Sequence, residues 1–217
     1  MSSTKDILKA VEAELDFDPL VDPTDITVKN LNGEVALNGT VPTYPQYLEA
    51  AAAAQRVEGV KNVHNHLMVQ LSDSDYRGDA ALTTAANNAL NWDVTVPLGV
   101  EATARDGNLM LSGTVHFGSE RTAAEAAVGG LTGVRNVKDE IEITYDADPV
   151  DVTGLVQDAL DRNALVEDDS DVHVDASGNT VTLGGHVRTW AEHDAVVGAT
   201  WMAPGVLQVR DYLDITG

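Results

Sequence analysis

The feature that most constrains this chain is an internal repeat marked by glycines at fixed offsets. Three segments resemble one another: NGEVALNGTV (Asn32 to Val41), DGNLMLSGTV (Asp106 to Val115) and GNTVTLGGHV (Gly178 to Val187). Gly39, Gly113 and Gly185 are each followed 20 residues later by Gly59, Gly133 and Gly205. Ten residues after those come Val69, Ile143 and Ile215. Matched offsets of this kind are the signature of a repeated supersecondary unit. The 217 residues therefore read as three small domains rather than one or two of ordinary size: 6–71, 80–145 and 151–216. The joins, 72–79 and 146–150, are short and polar.

Each unit follows the same plan. An amphipathic helix opens it, with apolar residues at i, i+4 and i+8. These are Ile7, Val11 and Leu15, then Leu82, Ala86 and Leu90, then Val152, Val156 and Leu160. A strand follows, carrying Ile26 and Val28, Val100 and Ala102, or Val172 and Val174. Turns at Asn32-Gly33, Asp106-Gly107 and Gly178-Asn179 use residues that tolerate positive φ. The second strand turns Val35 and Leu37, Leu109 and Leu111, or Val181 and Leu183 inward, and is expected to end at Gly39, Gly113 or Gly185.

A second helix comes next. Thr43-x-x-Gln46 and Thr189-x-x-Glu192 match a capping box, and the middle unit offers Ser119. Its sheet-facing positions are small: Ala50 and Ala53, Ala124 and Ala127, Val196 and Ala199. Gly59, Gly133 or Gly205 is expected to end it. A last strand closes the unit. A β-α-β segment needs a crossover, so the sheet is mixed. The fold class is α+β: three tandem α-β-β-α-β units, each a small mixed three-stranded sheet with two helices on one face.

This pattern resembles the BON (bacterial OsmY and nodulation) domain. The residues that carry the likeness are Gly33, Val35, Leu37, Gly39, Val41, Gly59, Val60, Val63, Asn65 and Val69 in the first unit. The second has Gly107, Leu109, Leu111, Gly113, Val115, Gly133, Val134, Val137, Asp139 and Ile143. The third has Asn179, Val181, Leu183, Gly185, Val187, Gly205, Val206, Val209, Asp211 and Ile215, with Asn179 where the turn glycine belongs. The resemblance implies non-catalytic modules of osmotic or envelope stress that attach to phospholipid or other envelope surfaces. Some members are cytoplasmic and associated with cations such as potassium. The motif glycines Gly33, Gly39, Gly59, Gly107, Gly113, Gly133, Gly185 and Gly205 carry over as determinants of the fold.

Charge narrows the partners. There are 35 acidic residues against 13 Lys and Arg, a net charge of −22, and no cysteine. Nucleic-acid phosphates need clustered cations, and anionic lipid repels such a surface. Nucleic acid is therefore not expected as a partner. No apolar run spans a membrane. The N-terminal residues carry charges where a signal peptide needs an apolar stretch, so the chain as it stands reads as cytoplasmic, or as periplasmic or envelope-associated if it is a mature form. The charge is uneven: −5 over 1–71, −6 over 72–145 and −11 over 146–217.

No residue set makes a case for an enzyme, and no cofactor is implied. His64-x-His66 lies on a predicted strand, where both rings share one face. An exposed polar face explains them without a metal. Glu167, Asp168, Asp169, Ser170 and Asp171 form the densest acidic cluster but lack EF-hand spacing. Tyr44, Phe117 and Trp190 stand at the start of the second helices as candidate surface contacts, with stapling of the helix start as the plainer role. Trp92 falls in the loop after the middle unit's first helix, and Trp201 inside the third unit's second helix. The function expected is a non-enzymatic, stress-related binding protein on phospholipid or envelope surfaces. The alternatives are a soluble, self-associating cytoplasmic scaffold and a potassium- or calcium-responsive protein.

Overall fold

A computed structural model describes residues 4–144, 151–166 and 171–216. The elements run α1 (Thr4–Phe17), β1 (Ile26–Leu31), β2 (Glu34–Val41), α2 (Tyr44–Gln55) and β3 (Asn62–Val69). The middle repeat has α3 (Asp79–Trp92), β4 (Glu101–Arg105), β5 (Asn108–Val115), α4 (Gly118–Gly129) and β6 (Asn136–Ile143). The third has α5 (Val152–Asp161), β7 (Val172–Ser177), β8 (Thr180–Val187), α6 (Trp190–Met202) and β9 (Gln208–Ile215). The backbone divides into two compact units, Met1–Gly113 with Ala124–Glu140, and Thr114–Ala123 with Ile141–Gly217.

Each repeat forms its own three-stranded sheet with the second strand in the centre. β1 pairs antiparallel with β2, and β2 pairs parallel with β3. β7, β8 and β9 repeat this arrangement. The nine helix residues named from periodicity are all buried. Val35 and Leu37 face them from the central strand, as do Leu109 and Leu111, and Val181 and Leu183, each fully buried. Burying a Val or Leu side chain contributes about 1.5–3 kcal/mol, so each small core depends on this limited set. One core position escaped the periodicity: Ala54, Val128 and Thr200 are fully buried one residue beyond the expected alanines. Thr200 satisfies its hydroxyl by donating to Val196 O at 2.8 Å.

The glycines stand elsewhere than the pattern predicts. β2 does not end at Gly39 but runs on to Val41, and Gly39 pairs with Ile26 inside the strand. Gly39 has φ +129°, and a side chain there would meet the Asp25 carbonyl at 1.8 Å. The first strand's backbone crosses close at that point, which admits no Cβ. α2 likewise ends at Gln55, and Gly59 lies in the turn beyond it with φ +87°.

The hairpin turns differ between repeats. Asn32 and Gly33 both take positive φ, as do Asp106 and Gly107. In the third repeat only Gly178 does, and Asn179 donates Nδ2 to the Gly205 carbonyl at 2.6 Å. Helix starts differ too. Thr189 accepts the Glu192 amide at 3.1 Å, while Glu192 Oε2 accepts Arg188 N at 2.8 Å. Thr43 accepts the Gln46 amide, but Gln46 Oε1 takes the Asp22 amide instead of closing the box. The middle helix begins at Gly118 without Ser119 as its cap. Glu120 Oε2 accepts the amides of His116 and Phe117 at 2.8 and 3.1 Å.

Candidate functional site

The loop after the first helix has the same construction in all three repeats. The residue after α1 is Asp18, whose Oδ1 accepts Leu20 N at 2.9 Å, while its carbonyl accepts Val21 N at 3.2 Å. After α3, Asp93 Oδ1 accepts Thr95 N at 2.9 Å, and its carbonyl accepts Val96 N at 3.2 Å. After α5, Asn163 Oδ1 accepts Leu165 N at 3.0 Å, and its carbonyl accepts Val166 N at 3.1 Å. This is an Asx turn followed by an anchor valine. Val21 and Val96 are buried, and Val166 packs against the third core. The turn is pinned at its base, and its tip projects.

The tips are apolar, and most so in the middle repeat. Trp92 is 85% exposed, Val94 99% and Leu98 90%. Phe17 and Leu20 in the first repeat and Leu165 in the third are also exposed. Large apolar side chains clustered in the open mark interaction sites more often than singly scattered ones. The middle tip is also nearly free of charge: from Ala80 to Val100 the only Asp, Glu, Lys or Arg is Asp93. The Thr95 hydroxyl at 2.6 Å and then the Thr95 amide hold the Asp93 carboxyl below its ordinary range. The one charge at the tip is thus engaged by its own turn. Trp92, expected in the loop, is instead the last residue of α3, because the helix runs on until Asp93 turns the chain. The Asx residue three positions after the last buried helix leucine, with valine three further on, is the signal that locates all three.

The aromatic residues named from sequence are placed differently. Tyr44, Phe117 and Trp190 are each half-buried. Trp190 packs against its own repeat's core and meets His193 edge-on, with ring centroids 4.9 Å apart. Tyr44 stacks on Tyr47 at 5.7 Å. Burial raises the Tyr44 hydroxyl above its ordinary pKa, Glu125 adds to this, and a backbone hydrogen bond at Val137 opposes it. Trp201 lies beneath the Arg121 guanidinium, 4.8 Å from the ring centroid.

His64 and His66 do share a face of β3, with parallel rings 6.3 Å apart, and His64 Nε2 lies 2.9 Å from Glu34 Oε2. Among the described residues no three His, Asp or Glu side chains converge as a metal site would require. Of the acidic cluster, Glu167 to Ser170 lie outside the described residues. No described helix is long and apolar enough to cross a membrane.

The eight motif glycines all have positive φ, from +79° at Gly107 to +134° at Gly113. With the strand order and the repeated turns, this backbone pattern can be set beside known families. The family model for the BON domain matches three times, over residues 3–70, 78–145 and 148–217. The chain belongs to the BON-domain family. Its BON repeats are 34% identical over 141 residues to the osmotically-inducible protein Y of Escherichia coli, covering 63% of this chain and 70% of that protein. They are 31% identical over 115 residues to the outer membrane lipoprotein DolP of Haemophilus influenzae, covering 52% of this chain and 59% of that one. Among solved structures, the C-terminal domain of CdsD, a type III secretion protein of Chlamydia trachomatis, aligns over 99% of this chain and 100% of its own. That alignment has 16% identity and a TM-score of 0.26.

Proposed function

We propose that this chain is a non-enzymatic attachment protein of osmotic or envelope stress. In this reading the middle BON repeat contacts a phospholipid surface through Trp92, Val94 and Leu98. The supporting observation is the nearly uncharged, apolar tip on a chain of net charge −22. Inserting three such side chains gains about 4.5–9 kcal/mol gross at 1.5–3 kcal/mol each, less the cost of immobilisation. Binding is therefore weak for one tip and favours surfaces without negative charge. Tryptophan suits the membrane interface, where one end of the ring is wet and the other dry.

Similarity to an osmotically-inducible protein supports a link to osmotic stress, and similarity to an outer membrane lipoprotein supports a setting at the envelope. The motif residues support a non-enzymatic role, since they are mainly glycines and core aliphatics, and of the polar ones Asn65 and Asp211 are spent on tying the last strand to the second helix. The test is flotation of the full chain with phosphatidylcholine vesicles, with and without anionic lipid. We expect association that persists in high salt, weakens as anionic lipid is added, and drops several-fold in a Trp92→Ser/Val94→Ser/Leu98→Ser variant. No flotation in any lipid mixture, or equal flotation of the variant, overturns the reading.

A further inference from the structure

The third repeat contains a groove of about 520 Å³ between the later turns of α5 and α6. Leu155, Ala159, Ala199, Met202, Ala203 and Pro204 line it, together with Arg162 at the end of α5. Its volume is within the range of roughly 300–1,000 Å³ typical of small-molecule sites.

The first repeat shows what the fold places there by default. Arg56 Nε lies 2.9 Å from Glu14 and Nη1 lies 2.8 Å from Glu49, and the third contact of the guanidinium is Asp18. That network fastens the end of α1 to the end of α2. The corresponding positions in the third repeat follow from matching Leu15 with Leu160 and Ala50 with Val196. They are Met202 for Arg56, Ala159 for Glu14, Ala195 for Glu49 and Asn163 for Asp18. All four charged groups are replaced together by neutral or apolar residues. Asn163 keeps its turn bond to Leu165, so the loop is retained while the ion network is gone. The groove occupies the space that the network fills in the first repeat.

Arg162 supplies the polar element. It is exposed, and among the described residues its side chain makes no ion pair or hydrogen bond, although its backbone N–H caps α5 on Leu160 O. It is one of only three Lys or Arg residues in 146–217. An exposed guanidinium beside an apolar cleft complements an anionic head on an apolar tail. We propose that this groove binds a single acyl chain bearing a carboxylate or phosphate headgroup, with the chain against Ala159, Ala199 and Met202 and the head on Arg162. The repeat's −11 charge opposes any anion at long range, so binding should tighten as salt screens it.

The probes are oleate and oleoyl lysophosphatidic acid, titrated below micelle formation into the full chain at moderate salt and followed by calorimetry. A neutral oleyl alcohol serves as the headgroup control. We expect one saturable site. Saturated fatty acids shorter by two carbons should bind on the order of tenfold more weakly, as the transfer of methylenes predicts. Arg162→Gln should weaken both anions several-fold. An Ala159→Glu/Met202→Arg double variant rebuilds the pair that the first repeat already holds, so it should fold and close the groove. Binding to it should be lost, with its melting curve unchanged or raised. Preference for one anion identifies free fatty acid or lysolipid as the source. Absence of saturable binding, retained binding in the double variant, or equal binding of oleyl alcohol overturns the proposal. The assay contains no bilayer and the site lies in a different repeat from Trp92, so its failure is separate from failure of the attachment reading.

Discussion

The carboxylate of Asp211 faces His193 Nε2 at 2.7 Å and accepts the Leu213 amide on its other oxygen at 3.0 Å. The first repeat makes the same tie differently. Asn65 donates Nδ2 to the Tyr47 carbonyl at 2.7 Å and accepts the Leu67 amide at 3.2 Å. In both repeats one motif residue fastens the last strand to the second helix. Asp211→Ala should therefore cost about 1–3 kcal/mol, the loss of hydrogen bonds involving a charged group. Asp211→Asn should retain most of that stability, since an amide can both donate and accept there as Asn65 does. Denaturant unfolding followed by tryptophan emission checks this, because Trp190 touches His193.

Acid should loosen the first repeat. The Leu20 amide, then the Arg56 guanidinium and Glu49, hold the Asp18 carboxyl below its ordinary range. A carboxyl lowered on folding contributes stability that is present above its unfolded pKa and is lost as pH falls through its folded value. The melting temperature should stay level down to the ordinary aspartate range and fall below it. Arg56→Met, which copies the third repeat, should make that fall shallower, because the Asp18 carboxyl is then lowered less on folding. A titration of melting temperature on both proteins checks it, and falls of equal size would count against the Asp18–Arg56 linkage.

Two glycines of the third repeat should respond in opposite directions to alanine. At Gly185 a Cβ would meet the Asp171 carbonyl at 1.8 Å with φ at +111°. Gly185→Ala should cost about 3 kcal/mol or more, at the severe end for single substitutions. Gly198 lies inside α6 with nothing within 4 Å of an added Cβ. Gly198→Ala should stabilise by about 0.5–1 kcal/mol, the ordinary helix preference for alanine. Denaturation midpoints of the two variants decide it.

Salt should stabilise the third repeat more than the first. Self-repulsion among like charges weakens a compact state and is screened by ions. The charge is −11 over 146–217 against −5 over 1–71. Trp190 and Trp201 lie in the third repeat, and the first has no tryptophan. Raising sodium chloride should shift the tryptophan-detected transition upward by more than the transition seen by circular dichroism over the whole chain.

The core and topology were legible because they are periodic. Ile7, Val11 and Leu15 repeat at helical spacing, and Val35 and Leu37 alternate, so burial could be read directly. What escaped depends on contacts distant in sequence. Gly39 looked like a strand end because nothing in its neighbours reveals that the Asp25 carbonyl crosses above it. Asn179 looked like a stand-in for a turn glycine because its bond to Gly205 crosses half the repeat. Aromatic residues are rare in this chain, and rarity does not tell a staple such as Trp190 from an exposed ring such as Trp92. The groove beside Arg162 was out of reach for another reason. It arises from residues that are missing, and becomes visible only when Arg56 and its three acidic partners are set against their counterparts.

The pinned loop also has a consequence for change over time. Its fixed parts are an Asp or Asn side chain, the two amides that bond to it and to its carbonyl, and one anchor valine. The side chains between them vary as Leu20, Thr95 and Leu165 while the turn stays the same, and only Thr95 among these three adds a hydroxyl bond to its Asx residue. Grafting one tip onto another repeat should preserve each core and move only the contact surface. A chain with three such mounts can diversify what it touches one repeat at a time.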